Sequence, residues 1–397
     1  MKILVANFGS TSFKYRLFDM AGIGETMLAK GGYERVTDYN EVVDDCLGKL
    51  VSEGAIGSLD ELDAVGFKTV MGRNLSGCVC DDEAVLEALD GFASLAPAHN
   101  PPYANGIRTF GQRIPNVPRV ALFETAFYQW VPEAARVYAV PNAWREAGLE
   151  RYGFHGASHK FVAERSAELL QRDDVAERVR GLYVDGPGDF SGAPLRVISC
   201  HLGGSSSVTG VNTGVAIGTS MGFTPQSGLP QNNRVGELDS GAVPFIMNQF
   251  QLSIEEVQTA MTTQSGLFGL SGGAGNDMRD LWKAKTEGNS DAGLAIDHLV
   301  YSIRKYLGQY HLEMNGLEAL VFTAGIGERD PDVREAVCAN LSCLGLKLDL
   351  EKNKQVGVEC EIQSDDSAVK ILVIPTNEEL IVARETKRLL QAQQTNA

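Results

Sequence analysis

The sequence Ile3-Leu-Val-Ala-Asn-Phe-Gly-Ser-Thr-Ser-Phe-Lys-Tyr-Arg-Leu-Phe18 places a polar turn between two apolar runs. The runs predict strands over residues 3–6 and 13–18 that pair through a glycine- and serine-rich hairpin. Glycine lets the backbone turn where a side chain would clash, and hydroxyls, an amide and free N–H groups converge on the tip. The tip is suited to a phosphate group, although most polar hairpins of this composition are only turns.

The same construction returns twice along the chain. An apolar run over 197–202 ends in Gly203-Gly-Ser-Ser-Ser207, and a second run over 320–324 ends in Gly325-Ile-Gly-Glu328. Three such strand ends suggest one nucleotide held from several sides, and their recurrence hints at an internal duplication. The chain has no Walker sequence and no protein-kinase H-R-D or D-F-G set, so any ATP is held in another way.

Composition bounds the class of protein. With 397 residues, 44% hydrophobic and 22% charged, the chain suits two globular domains. A formal net charge of −16 argues against nucleic acid or an anionic membrane as partner, since both need a basic patch. No apolar stretch reaches about 18 residues, and no signal peptide is apparent. The chain is therefore expected in the cytoplasm.

Seven cysteines are scattered without a paired CxxC spacing, which predicts reduced thiols. Cys78 and Cys80 could bind a metal, but their alternation favours a structural role in a strand.

Alternating strand and helix signals predict an α/β protein. A Pro-rich segment over 97–102 puts His99 on a rigid loop, and the Gly-, Pro- and Asn-rich stretch 218–239 predicts a long functional loop. Further strands are expected over 64–70 and 118–122. Helices are predicted over 83–93, 159–171, 295–314 and 378–392, the second with Ser158 as its N-cap.

Many polar residues fall in the predicted turns and combine cations with a few carboxylates. Phosphoryl transfer needs this mixture, because cations offset the charge of ATP and of an anionic acceptor while carboxylates hold Mg²⁺. The set is Asn7, Ser10, Ser12, Lys14, His99, Glu124, His155, His201, Arg234, Asp277, Arg279 and Glu378.

The chain resembles the acetate kinase family of the sugar kinase, Hsp70 and actin superfamily from end to end. The resemblance is carried by Asn7-Phe-Gly-Ser-Thr-Ser-Phe-Lys14, Leu95-Ala-Pro-Ala-His-Asn-Pro101, Arg151-Tyr-Gly-Phe-His-Gly-Ala-Ser-His159, Thr219-Ser-Met-Gly-Phe-Thr-Pro225 with Arg234 after it, Asn276-Asp-Met-Arg-Asp280, Phe322-Thr-Ala-Gly-Ile-Gly-Glu328 and Pro375-Thr-Asn-Glu-Glu-Leu380.

This resemblance implies two actin-like (ribonuclease H-like) domains with mixed sheets flanked by helices and an active site in the interdomain cleft. Residues 1–147 plus 378–397 would form the N-terminal domain, and 148–377 the C-terminal domain, which carries the nucleotide and dimer side. The implied reaction is ATP plus a short-chain carboxylate, acetate or propionate, giving ADP and an acyl phosphate by direct in-line transfer. Mg²⁺ or Mn²⁺ would assist, and a homodimer is implied.

The family's site residues carry over by position. The catalytic residues would be Asn7, Lys68, His99, Glu124, His155 and Arg234, with Asn7 and Glu378 at the metal. The acid would contact Lys68, Val70, Ala98, Phe154 and Pro225. The nucleotide would contact Ser10, Ser12, Lys14, His201, Gly203, Gly204, Ser205, Asp277, Met278, Arg279, Gly325, Ile326, Gly327 and Arg329.

Two histidine assignments have simpler alternatives. His155 and His159 are spaced four residues apart and could be zinc ligands, but no glutamate follows His155 as the H-E-x-x-H motif requires. His201 ends an apolar strand and could be an ordinary hydrogen-bonded core histidine.

The chain also departs from its family. Lys68 stands where a substrate-facing arginine is usual and lacks the planar fork that binds a carboxylate with two hydrogen bonds, which Arg73 could supply instead. Glu124 replaces a shorter aspartate, and further changes fall at Met71, at Gly204-Ser205 and at Arg329. Ala98 replaces a leucine and would enlarge the acyl pocket, which favours propionate or a slightly longer acid at least as much as acetate.

Two other functions remain open from the sequence. The departures suggest a nucleotide-binding, catalytically weak paralogue with a sensing role. A kinase using pyrophosphate or another donor is the third possibility, against which the Asp277-Met-Arg279 adenosine motif speaks.

Overall fold

Two six-stranded sheets form the centre of the protein in a computed structural model that describes residues 1–21, 25–72, 75–80, 82–93 and 100–396. The first sheet contains β1 (Lys2–Phe8), β2 (Ser12–Asp19), β3 (Thr26–Glu34), β4 (Ala64–Thr69), β5 (Cys78–Val79) and β6 (Arg119–Phe123). The second contains β7 (Arg196–His201), β8 (Ser207–Asn212), β9 (Val215–Thr219), β10 (Ala319–Thr323), β11 (Cys360–Glu361) and β12 (Lys370–Val373).

The two sheets have the same topology. Their strand orders are β3-β2-β1-β4-β6-β5 and β9-β8-β7-β10-β12-β11. In each, three consecutive strands pair antiparallel, two parallel strands follow beside the first, and a short antiparallel strand closes the edge. The mixed sheets are as predicted, and the repeated order supports the duplication that the recurring turns suggested.

Helices cover the sheets. Those that precede β7 are α1 (Tyr39–Ser52), α2 (Asp82–Gly91), α3 (Asn100–Arg113), α4 (Glu133–Arg136), α5 (Asn142–Glu146), α6 (Gly156–Leu169) and α7 (Asp173–Asp185). Those that follow β9 are α8 (Ala242–Phe250), α9 (Ile254–Thr263), α10 (Gly266–Leu270), α11 (Met278–Thr286), α12 (Ser290–Met314), α13 (Ala324–Arg329), α14 (Pro331–Cys338) and α15 (Glu378–Asn396). The helices predicted over 83–93, 295–314 and 378–392 are confirmed as α2, α12 and α15.

Helix α6 begins earlier than predicted, and Ser158 is not its N-cap. His155 adopts a left-handed conformation with φ of 61°, and the helix starts at Gly156. The Gly156 N–H donates to the Glu124 carbonyl at 3.0 Å, and a Cβ on residue 156 would lie 2.3 Å from that oxygen. Glycine is therefore required for this close approach. It fixes the start of α6 beside the residue that follows β6.

The C-terminal helix α15 returns to the first sheet and packs against β1, β4 and β6 as well as α6. A buried ion pair links the two helices, because Lys160 Nζ lies 2.7 Å from Glu385 Oε1 and both side chains are at most 1% exposed. Glu164 on α6 also pairs with Arg384 and Arg388 on α15. Since His155 immediately precedes α6 and Glu378 begins α15, these ion pairs fix the relative position of two candidate site residues.

The seven cysteines are free thiols, as predicted. Cys78 lies in β5, and the described part of the chain holds no group of three or more His, Cys, Asp or Glu side chains arranged for a metal. Within the same residues, no helix has the length and apolarity needed to cross a bilayer.

Candidate active site

A cleft of 1010 Å³ lies at the carboxyl ends of the parallel strands. Ligands of open α/β sheets bind at this edge, where loops and helix starts converge. Thirteen of the predicted site residues line it: Lys68, His155, His201, Gly203, Gly204, Ser205, Asp277, Met278, Arg279, Gly325, Ile326, Arg329 and Glu378. Residues that are more than 300 positions apart in the chain thus share one cavity.

Two carboxylates share one ammonium group at the inner end of the cleft. Lys68 Nζ, near the end of β4, lies 2.8 Å from Glu124 Oε1 and also bonds Glu378 Oε2. Burial alone would lower the pKa of Lys68, but Glu124 and Glu378 hold it well above its ordinary value. Burial raises the pKa of Glu124 despite Lys68, whereas Lys68 and His201 overcome burial and lower the pKa of Glu378. Lys68 is a cation here, and within the described residues two of its three N–H donors have carboxylate partners.

Three histidines lie beside this cluster. The rings of His155 and His201 stack with centroids 4.0 Å apart, and His159 lies behind them. Burial lowers the pKa of His155 and His159 well below the ordinary value and that of His201 to about 4. The sequence predicts that histidines act with lysine and arginine as the cations that attract an anion. The structure corrects this, because neutral imidazoles supply hydrogen bonds and no charge.

Arg234 lies in the long loop after β9, where Nη1 donates to the Pro225 carbonyl at 3.3 Å. Burial lowers its pKa, but a guanidinium remains charged. It is close enough to His155 to contribute to the lowered pKa of that histidine. No carboxylate pairs with Arg234 within the described residues, so its charge is available to an anion.

An apolar cluster includes two of the residues predicted for the acyl group. Val70 and Phe154 pack with Met71, Phe92, Tyr152, Met221 and Phe223. Met71, one of the departures from the family pattern, is thus a member of this apolar wall. Ala98 and His99 lie outside the described residues.

Two backbone turns form the outer end of the cleft. The N–H groups of Ile326 and Gly327 donate to the Leu202 carbonyl at 2.7 and 3.1 Å, which holds the turns after β7 and β10 together. Asp277 caps α11 and pairs with Arg279, an interaction that lowers the pKa of Asp277 to about 2. Arg279 and Arg329 are exposed, so both charges are at the rim.

The hairpin between β1 and β2 does not line the cleft in the way that the two glycine turns do. Asn7 Oδ1 accepts a hydrogen bond of 2.6 Å from Tyr103 Oη. Lys14 Nζ pairs with Glu34 at 3.4 Å and lines a separate surface cavity. Ser10, Ser12 and Lys14 are not among the described residues that line the large cleft. Their nucleotide contact stays a prediction.

Sequence comparison decides the family. The model of the acetokinase family matches residues 31–384. The chain belongs to the acetokinase family. An acetate kinase from Natranaerobius thermophilus is 40% identical, with 98% of this chain and 100% of that protein covered.

Solved structures give the same assignment. The crystal structure of Porphyromonas gingivalis acetate kinase has a TM-score of 0.87 at 32% identity and covers 98% of this chain and 99% of its own. A propionate kinase from Francisella tularensis subsp. tularensis SCHU S4 has a TM-score of 0.81 at 33% identity, with 97% and 98% covered. The predicted fold, two actin-like domains with mixed sheets, is confirmed for this acetokinase-family chain.

The acetokinase family implies Mg²⁺, and the residues present fit that ion. Glu124 and Glu378 contact the same ammonium group, and Glu124 Oε2 is a buried oxygen with no partner among the described residues. Mg²⁺ usually takes only one or two protein carboxylates, together with water and substrate phosphates. Zinc at His155 and His159 does not fit, since both nitrogens of His159 bond serine hydroxyls.

Several cleft residues were missed from the sequence. Asn232, Trp282 and Thr376 line the cleft, and Trp282 Nε1 donates to Asp330 Oδ2 at 3.0 Å. Asn232 and Thr376 fall in stretches already identified as family blocks or functional loops, which is a signal that they could be near the site. Trp282 lies inside α11 and gives no such signal.

Proposed function

We propose that this acetokinase-family protein transfers the γ-phosphoryl group of ATP reversibly to a short-chain carboxylate, acetate or propionate, giving ADP and an acyl phosphate. The observation that carries this proposal is the inner cluster, in which one cation, two carboxylates and two stacked neutral histidines meet at the end of a nucleotide-sized cleft. Phosphoryl transfer relies mainly on positioning and charge stabilisation, and this set supplies both.

The proposed roles follow from charge and position. Arg234 offers an unpaired cation where acceptor carboxylate and phosphoryl group meet, and Lys68 offers its third donor to the same anions. His155, with Asn7 and His99, would hydrogen-bond the phosphoryl oxygens. The two glycine turns and the Asp277-Met-Arg279 segment would hold the nucleotide. Val70, Phe154, Pro225 and Ala98 would surround the acyl chain.

Asn7 and Glu378 would hold Mg²⁺. Glu124, which shares the Lys68 ammonium group with Glu378, has one oxygen, Oε2, without a partner among the described residues. When bound, the ion would neutralise charge on the phosphate oxygens of ATP.

A hydroxamate assay for acyl phosphate tests the proposal, run with ATP, Mg²⁺ and acetate, propionate and butyrate. Alanine at position 98, in place of the leucine usual in the family, predicts that propionate matches or exceeds acetate in kcat/KM. A strong preference for acetate would contradict only the predicted preference for propionate and would leave the kinase proposal intact. No acyl phosphate from any acid would contradict the enzyme and favour the sensing role, whereas activity only with another donor would favour the third possibility.

Lys68→Arg is expected to raise kcat/KM for acetate about tenfold, the value of one additional charge-assisted hydrogen bond. A guanidinium has five donors and can bond Glu124 and Glu378 while presenting two parallel N–H groups to a carboxylate. Steady-state kinetics with acetate measures this. Lys68→Met is the control and should lose activity, because it leaves two buried carboxylates facing each other. Equal or lower activity in the arginine variant would show that Lys68 does not limit acid binding.

We propose the domain division at 147/148 and 377/378, with α15 completing the first domain. A homodimer through the second domain is supported by α8, a nine-residue helix of sequence AVPFIMNQF in which no residue is buried. An apolar helix of this kind normally packs against another surface. Phe245 and Phe250 are 64% and 65% exposed, so a second copy is the occupant that we propose. Free thiols and the use of ATP support a cytoplasmic location.

Phe250→Glu is expected to convert the dimer into a monomer, because a charge buried in an apolar interface is strongly destabilising. Light scattering after size exclusion measures the mass. Trp144→Glu is the matched control, since Trp144 is 57% exposed on α5 in the first domain and should leave the mass unchanged. A monomeric unmodified protein would refute the dimer.

A further inference from the structure

A chain of hydrogen bonds runs from the second sheet to His155. Ser199 Oγ on β7 lies 2.8 Å from His159 Nδ1. His159 Nε2 lies 2.8 Å from Ser207 Oγ on β8, and Ser207 Oγ lies 2.8 Å from His155 Nδ1. Ser199, His159 and Ser207 are 0% exposed. The chain therefore has one buried end and one end at the cleft.

Each group in this chain has a single hydrogen to donate. Burial holds the pKa values of His155 and His159 well below the ordinary value, and Lys68 and Arg234 lower that of His155 further, so both rings are neutral. A neutral imidazole has one N–H and one acceptor nitrogen, and a serine has one O–H. If both rings donated to Ser207, its own hydrogen would be buried without an acceptor among the described residues. The hydrogens therefore point the same way along these hydrogen bonds, either toward the cleft or away from it.

Ser199 decides the direction. If the hydrogens point inward, His159 Nδ1–H donates to Ser199, and the Ser199 hydroxyl hydrogen is left in a fully buried position without an acceptor among the described residues. If they point outward, Ser199 donates to His159 Nδ1, His159 Nε2–H to Ser207, and Ser207 to His155 Nδ1. Every hydrogen is then used, and burying an unpaired donor is the costlier arrangement.

A second chain ends at the stacked ring. Thr376 Oγ1 donates to Ser158 Oγ at 3.0 Å, and Ser158 Oγ lies 2.8 Å from His201 Nδ1. Because Ser158 accepts from Thr376, its own hydrogen is free to be donated to His201 Nδ1. The proton of neutral His201 then belongs on Nε2. In both rings Nδ1 thus accepts a hydrogen bond from a serine hydroxyl. The planes of the two rings are inclined by 20°.

We propose that these two chains hold His155 and His201 as their Nε2–H tautomers, so that the stacked rings present two neutral N–H donors to the phosphoryl group. Ser207, His159, Ser199 and Ser158 are then positioning residues that act through the histidines. The assignment of the ligand as a phosphoryl group rests on the proposed function, whereas the tautomers rest on the hydrogen-bond geometry alone.

The arrangement has a chemical benefit at this site. A bare Nε2 would direct a lone pair at anionic oxygens and repel them, whereas an Nε2–H donates to them. A doubly protonated ring would need its charge buried beside Lys68 and Arg234. The fixed neutral tautomer supplies hydrogen bonds without that penalty and needs no reorganisation when the phosphoryl group moves.

Nitrogen-15 NMR of the full-length protein labelled in its six histidines tests the tautomers directly, since a protonated ring nitrogen and a bare one have well-separated shifts. Signals are assigned by single substitution of His155 and of His201. We expect Nε2 protonated and Nδ1 bare in both rings at neutral pH without any ligand. A protonated Nδ1 in His155 would overturn the proposal.

Ser207→Ala is expected to let the Nδ1–H form of His155 appear in the spectrum and to lower kcat about tenfold, the effect of losing one ordinary hydrogen bond. The KM for ATP should change less than twofold. Ser207→Thr keeps the hydroxyl and should restore the Nε2–H signal. Ser166→Ala is the matched control, because Ser166 is a buried serine of α6 whose hydroxyl donates to the Ala163 carbonyl and, within the described part of the chain, bonds none of the three histidines.

The outcomes separate this inference from the proposed function. If the Nε2–H tautomers are observed but no acid is phosphorylated, the hydrogen-bond chains stand and the kinase proposal fails. If acyl phosphate forms while His155 carries its proton on Nδ1, the kinase proposal is supported and the tautomer proposal is refuted. An unchanged His155 spectrum in Ser207→Ala would also refute the positioning role. The unmodified protein gives a decisive spectrum even if the variant does not fold.

Discussion

Replacement of Arg234 with alanine is expected to lower kcat/KM for phosphoryl transfer about 10³-fold, equivalent to about 4 kcal/mol of transition-state stabilisation. Two anions meet at this position in the proposed reaction, and Arg234 is a cation without a carboxylate partner in the described residues. Its one hydrogen bond there goes to the Pro225 carbonyl, so most of its donors remain for a ligand. Steady-state kinetics with the preferred acid measures the loss.

Two further measurements make this test specific. The Kd for ATP should stay within a few fold, because Arg234 is proposed to act on the acceptor and the transferred group. Arg234→Lys keeps the charge without the planar fork and should recover part of the loss. A decrease of less than tenfold in the alanine variant would remove Arg234 from the proposed catalytic set.

Glu385→Gln is expected to lower the free energy of unfolding by about 3–5 kcal/mol, the usual effect of removing one partner of a buried ion pair. Lys160 is 0% exposed and pairs with Glu385, so the substitution leaves its ammonium buried without a carboxylate. Urea denaturation followed by circular dichroism measures the change. The double variant Lys160→Met/Glu385→Leu is the control and should recover most of the stability, because it removes both charges of this pair. Arg388, which also pairs with Glu385, keeps Glu164 as its partner in both variants.

The pH dependence follows with a defined sign. Burial lowers the pKa of Lys160 although Glu385 opposes it, so removal of Glu385 lowers the pKa further. Between the folded pKa and the unfolded value of 10.5, the unfolded state binds more protons. The stability of Glu385→Gln should therefore rise with pH in that window relative to the double variant, which lacks the titrating group. A flat difference would show that Lys160 is not the buried charge responsible.

The fold was predictable because its main signals are local. The apolar runs at β1, β2 and β10 and the long buried helix α12 are legible from residue patterns. Strand β3 was not predicted, because it is an exposed edge strand interrupted by Gly31 and Gly32. Gly31 is explained only by tertiary packing, since a Cβ there would lie 2.6 Å from the Tyr15 ring.

The candidate site was predictable as a set of residues but not as a set of interactions. Lys68 and Glu378 are 310 positions apart, and nothing local indicates that they share a hydrogen bond. The charge state of His155 depends on burial and on His201, Lys68 and Arg234, which lie far from it in the sequence. Ser158 resembles an N-cap in sequence. It instead bonds His201, because α6 starts at Gly156, two residues before Ser158.

Helix starts around the cleft explain how a chain of net charge −16 can attract a polyanion. Helices α6, α11, α13, α14 and α15 all begin among the residues that border the cleft. Each N-terminus contributes a partial positive charge from its aligned peptide dipoles. The attractive potential is thus largely built into the backbone, where substitution of surface side chains cannot remove it. Side chains thus set the negative net charge of the protein, whereas the backbone at the helix starts favours an anion in the cleft.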